Sequence, residues 1–157
     1  MKFVLLTLSI LTAGTIYAAT TGDLYLQGEV VANNSLTITP NANATILNIP
    51  GGEVDRNVAT ATEVSNSVTG YKILMRTANG SQLNHSVAGP TYNAPYTVKY
   101  DGLQTPALTT VDQTVKTVGA LTALTTSTSA VLVSLSPHPD LPAGLYTDVI
   151  TISISAN

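Results

Sequence analysis

An antiparallel β-sandwich is the fold class this sequence predicts, and three observations predict it. Apolar residues alternate with period two in short runs, turn residues punctuate those runs, and the composition is poor in charge. Charged residues make up 10% of the 157, Trp and Cys are absent, and 11 Gly and 8 Pro are spread along the chain. Thr, Ser, Asn, Val, Ala and Leu dominate, which suits pleated strands joined by polar turns. Little material remains for charge-laced amphipathic helices. Many short strands at this spacing point to a two-sheet sandwich more than to a barrel.

The chain opens with Met1-Lys2, an apolar run over 3–11, Gly14 and small residues ending in Ala18-Ala19. That is the layout of a secretory signal peptide cleaved after Ala18, and the run falls short of the ~20 apolar residues a membrane span needs. The expected organisation is a signal peptide over 1–18, an N-terminal extension over 19–33 and a single β-sandwich domain over 34–157. Within the extension, residues 23–30 alternate so that Leu24, Leu26, Gly28 and Val30 share one face. This reads as a spare strand.

Further strands are expected over 35–39, 45–49, 58–64, 71–77, 96–100, 114–118 and 130–135. Over 71–77, Tyr71, Ile73 and Met75 face one way and Lys72 and Arg76 the other; Tyr96, Val98 and Tyr100 repeat the pattern. Asn79-Gly80 and Asp101-Gly102 are of the type that closes tight hairpins. Pro40, Pro50, Pro90, Pro106, Pro137 and Pro139 fall between the expected strands. The last strand, 145–155, follows Pro142-Ala143-Gly144 and places Tyr146, Ile150, Ile152 and Ile154 on one face. No strand-forming sequence follows it, so it reads as half-buried with a missing neighbour. Asp148 is the polar residue on its buried face, expected to accept hydrogen bonds from a neighbouring loop beside a turn at Gly144.

Several function classes are excluded on composition. The formal charge of −3, one unit more negative once Lys2 is lost, and the scatter of Arg56, Lys72, Arg76, Lys99 and Lys116 argue against nucleic-acid binding. Without cysteine no disulfide staples the fold, so packing or an intermolecular partner must supply the stability. His85 and His138 read as solvated loop residues, Glu53 and Asp55 as a solubilising loop pair, and Glu63 stands alone. With no catalytic motif and no ligand cluster, no enzyme, metal or cofactor is expected.

Four features in order resemble the pilin subunits of chaperone–usher systems, in particular the spore coat protein U-like, or archaic, branch. They are the export signal, the alternating 23–30 segment, Gly70-Tyr71-Lys72-Ile73 followed by Ala94-Pro95-Tyr96-Thr97-Val98-Lys99-Tyr100-Asp101-Gly102, and the ending Pro142-Ala143-Gly144-Leu145-Tyr146-Thr147-Asp148-Val149-Ile150-Thr151-Ile152. The resemblance implies an immunoglobulin-like sandwich lacking its last strand, completed by donor-strand addition. It implies Leu24, Leu26, Gly28 and Val30 as donor residues, and Tyr146, Ile150, Ile152 and Ile154 as the lining of an acceptor groove. The partners it implies are a periplasmic chaperone, an outer-membrane usher, identical or related pilin subunits and a host or surface receptor. The place it implies is a cell-surface pilus. The alternative readings are a monomeric secreted sandwich that binds carbohydrate or host through tyrosines such as Tyr92, and, third, an exported hydrolase.

Overall fold

The computed structural model describes residues 22–157, so the expected signal peptide over 1–18 lies outside the described residues. The chain divides into two units, Met1–Val30 and Val31–Asn157. In the first, residues 22–30 form neither helix nor strand, and Leu24, Leu26 and Val30 are 82%, 86% and 86% exposed. An alternating pattern specifies which side chains share a face; a strand exists only when an edge is there to pair with it.

The second unit is a two-sheet antiparallel sandwich. Its elements are β1 (Asn34–Pro40), a 3-10 helix (Ala42–Thr45), β2 (Glu53–Ser65), β3 (Tyr71–Thr77), β4 (Gln82–His85) and β5 (Gly89–Tyr100). Then follow β6 (Leu103–Gln104), β7 (Gln113–Val118), β8 (Thr125–Leu135), β9 (Tyr146–Thr147) and β10 (Ile150–Ala156). One sheet has the order β1-β2-β8-β5-β4-β9, with β6 added to β5, and the other has the order β10-β3-β7. Among the described residues there is no α-helix.

Alternation sets the core. Ala59, Ala61, Val131, Val133, Tyr96 and Val98 point inward from the first sheet and meet Tyr71, Ile73 and Met75 from the second. The expected strand over 71–77 matches β3, and Asp101-Gly102 closes the two-residue β5–β6 hairpin with φ of 53° and 77°. Both positive angles are those a type I′ turn requires, which Asp-Gly meets at small cost.

Four expectations are corrected. Residues 45–49 do not form a strand: Thr45 ends the short 3-10 helix Ala42–Thr45, which Asn41 caps by accepting from Asn43 N. Asn79-Gly80 does not close a hairpin, because it joins β3 in one sheet to β4 in the other; the positive φ angles fall on Gly80 and Ser81, and Ser81 N donates to Thr77 Oγ1. Pro40 and Pro90 lie inside strands, at the last residue of β1 and near the start of β5. The run 145–155 is broken at Asp148-Val149, so that β9 pairs with β4 while β10 pairs with β3. The chain changes sheets there.

Candidate functional site

The two outer strands β1 and β10 lie at the ends of their sheets, and β10 carries no partner on its second side among the described residues. Burial differs between neighbouring strands. On β3, Tyr71, Ile73 and Met75 are buried, whereas the inward-facing Ile150, Ile152 and Ile154 of the neighbouring β10 are only half-buried. On β1, Leu36 is half-buried and Ile38 is exposed. A strand edge in this condition leaves backbone donors and acceptors unpaired and apolar side chains in water.

Between these strands runs an apolar cavity of about 230 Å³. Ile38 and Pro40 form one wall, Ile150 and Ile152 the other, and Val58, Ala59, Val131 and Val133 the floor; Leu47, Leu83, Tyr96 and Asp148 complete one end. A buried apolar cavity of roughly 150 Å³ accepts a benzene-sized group. This one is larger and partly open to solvent.

Of the four expected groove residues, Ile150 and Ile152 line the cavity. Ile154 sits further along β10, opposite Ile73, and packs on the core. Tyr146 is elsewhere: the change of sheets puts it on β9, edge-on to His85 at 5.0 Å, with its hydroxyl donating to Pro142 O at 2.8 Å. Gly144 is explained by close approach, because a Cβ there would run into the His85 ring. Gly28 has nothing within 4 Å of the position its Cβ would take. The cavity residues that the sequence reading did not place in the groove, Ile38, Pro40, Leu47 and Val58, come from the opposite wall and floor. The alternation of Leu36 and Ile38 was the available signal for that wall.

Asp148 marks the end of the groove and the point where the chain crosses. Its carboxylate accepts from Asn79 N at 2.9 Å, Val149 N at 2.7 Å and the Tyr96 hydroxyl at 2.8 Å. Burial and the adjacent carboxylate push the Tyr96 phenol well above its ordinary range. The carboxylate is thus a structural acceptor, as expected from the sequence.

At the other end the interior is polar. Glu63 is fully buried: it accepts from Tyr71 and Tyr100 hydroxyls, both at 2.6 Å, and from Ser129 at 2.8 Å, and pairs with Lys116 at 3.1 Å. Lys116 also pairs with Asp101 at 2.9 Å. Burial raises the Glu63 carboxyl, but the bonds from Tyr100, Tyr71, Ser129 and Lys116 outweigh it and hold the group below its usual range. Burial and Glu63 push both tyrosines up.

The remaining polar residues bind structure. Glu53 and Asp55 belong to β2 rather than to a loop, Glu53 accepting from Asn48 N and Asp55 pairing with Lys99 at 2.7 Å. His85 lies at the end of β4, its Nδ1 accepting from Val87 and Ala88 amides. No group of three potential metal ligands occurs among the described residues.

No family model and no curated protein matches the chain. Among solved structures it is similar to the CooA pilin subunit from enterotoxigenic Escherichia coli, at 13% identity and a TM-score of 0.37, over 78% of this chain and 89% of that one.

Proposed function

We propose that this protein is a structural subunit of a surface pilus, assembled by a periplasmic chaperone and an outer-membrane usher, in the manner of the spore coat protein U-like branch. Subunits polymerise without covalent bonds. The segment 23–30 of one copy enters the groove of the next, adding a strand to β10 and filling the cavity with Leu24, Leu26 and Val30, while Gly28 passes where a larger residue would not fit. The observation that carries this reading is the apolar cavity between β1 and β10, flanked by half-buried Ile150 and Ile152 on a strand with a free edge.

Strand addition answers both deficits of that edge. Backbone groups gain partners and alternate side chains gain pockets. Each of Leu24, Leu26 and Val30 gains about 1.5–3 kcal/mol on full burial, so a junction gains about 5–9 kcal/mol before ordering costs. Until a neighbour supplies the strand, the chaperone covers the same groove, and the signal peptide carries the chain to it.

The test is Ile152→Asp. A carboxylate set in the cavity wall would be buried without a partner, at a cost of several kcal/mol, and assembly should stop while the chain is still exported. Fibres of normal length and heat resistance from this variant would contradict the reading.

A further inference from the structure

The end of the sandwich from which the N-terminal segment leaves is organised by one side chain. Asn66, in the β2–β3 turn, accepts from Asn33 N at 2.7 Å through its side-chain oxygen and donates from Nδ2 to Val31 O at 2.9 Å. Its backbone N–H donates to Asn33 O at 3.1 Å. These bonds fasten Val31–Asn33 to the turn. Val31 follows Val30 directly, so no free linker separates the end of the expected donor segment from anchored chain. Consecutive Cα atoms are only about 3.8 Å apart. Val68, 79% exposed, crowns the same turn.

The mouth of the groove is at the opposite end. The register places Asn34, Ser65, Tyr71 and Ala156 at one end and Pro40, Thr77 and Ile150 at the other. Flanking the mouth are Ile46 and Val149, each 62% exposed.

We propose that consecutive copies abut directly in the fibre. The Asn66–Thr69 turn of the donating copy, with Val68 at its tip, sits against Ile46 and Val149 at the groove mouth of the accepting copy, and Asn66 fixes the angle between them. This inference rests on the fibre reading above. A donor laid parallel to β10 would end beside the accepting copy's own Asn66 turn, joining like ends; two such copies close on each other as a pair. Laid antiparallel, it ends at the mouth and joins unlike ends, which leaves the chain of copies open to grow. Antiparallel ladders are also slightly stronger per residue. With Val31 already fixed to the donating domain, that domain has nowhere to stand except at the mouth. A second copy of this chain is therefore the occupant of that surface.

The absence of cysteine makes introduced thiols unambiguous. Fibres of the double variant Val68→Cys/Val149→Cys, treated with a short bis-maleimide, should give a covalent ladder on a denaturing gel, and either single variant should run as monomer. A second pair, Leu26→Cys/Ile152→Cys, reports on the donor strand itself. A ladder from that pair without one from Val68/Val149 would overturn the abutting interface and leave the fibre reading standing. A covalent dimer from Val68→Cys alone would overturn it in favour of like ends meeting. No ladder from either pair would overturn both. Adding Asn66→Ala to the first pair should lower ladder yield several-fold while the amount of fibre is unchanged; an undiminished yield would remove Asn66 from the proposal.

Discussion

Glu63 shows what a single residue can commit a core to. Its carboxylate is surrounded by groups contributed by β3, β5, β7 and β8, namely Tyr71, Tyr100, Lys116 and Ser129, with Asp101 joining through Lys116. Replacing Glu63 by Ala leaves the Tyr71 and Tyr100 phenols without their acceptor, while Lys116 keeps Asp101, and a buried donor left unsatisfied costs about 1–3 kcal/mol. The urea midpoint of the mature chain should fall accordingly. The pH dependence follows from the same cluster. A carboxyl held below its unfolded value stabilises the fold above that value, so stability should decline as pH falls below about 4.3. Lys116, held above its ordinary value by Asp101 and Glu63 against the pull of burial, and the raised phenols of Tyr71, Tyr96 and Tyr100 act at the other extreme. Groups raised on folding stabilise below their unfolded values, so stability should also decline above about pH 10. Urea midpoints across pH check both limbs; an alkaline limb as flat as the neutral plateau would contradict the burial of the three phenols.

At the scale of elements, strands bounded by their own chemistry were legible in the sequence and those bounded by tertiary context were not. Tyr71–Thr77 alternates cleanly and ends at a glycine turn, so β3 was evident. β4 was missed because four residues, Gln82–His85, carry one inward apolar side chain, Leu83, and acquire strand geometry only between β5 and β9. The break in the last run was invisible for a related reason. Residues 145–155 keep their alternation straight through Asp148, and what bends the chain from one sheet to the other is the set of bonds that carboxylate makes with Asn79 and Tyr96, both distant in sequence. Glu63 sat in register with Ala61 on an alternating strand, so its inward direction was readable while its partners were not. Replacing Asp148 by Ala should cost about 1–3 kcal/mol through the lost bonds to the Tyr96 hydroxyl and Asn79 amide. The loss should fall on the β9–β10 crossover, with amide exchange at Asn79 and Val149 quickening before that at Ile73 and Met75; equal acceleration at all four would contradict a local role.

Across the whole domain, polarity is graded inside the sandwich. One end is held by a closed set of charged and phenolic groups, and the other is apolar, with the cavity between β1 and β10 beside it. A single copy therefore folds around a firm end and keeps an unfilled one. On the proposed reading a strand fills it, and the chain carries an alternating segment, 23–30, that is exposed in the described structure. On the same proposed reading, donor and acceptor in one sequence make an unlimited polymer where unlike ends meet.

Assembly is read directly by size-exclusion chromatography of residues 19–157 and of the same chain lacking residues 19–29, each expressed with the proposed chaperone. A series of oligomers is expected from the intact chain, and from the truncated chain only a chaperone-bound subunit that folds but donates nothing. Oligomers that survive the truncation would contradict the proposed assembly, as would an intact chain that is monomeric and stable without a chaperone, the behaviour of a solitary binding module.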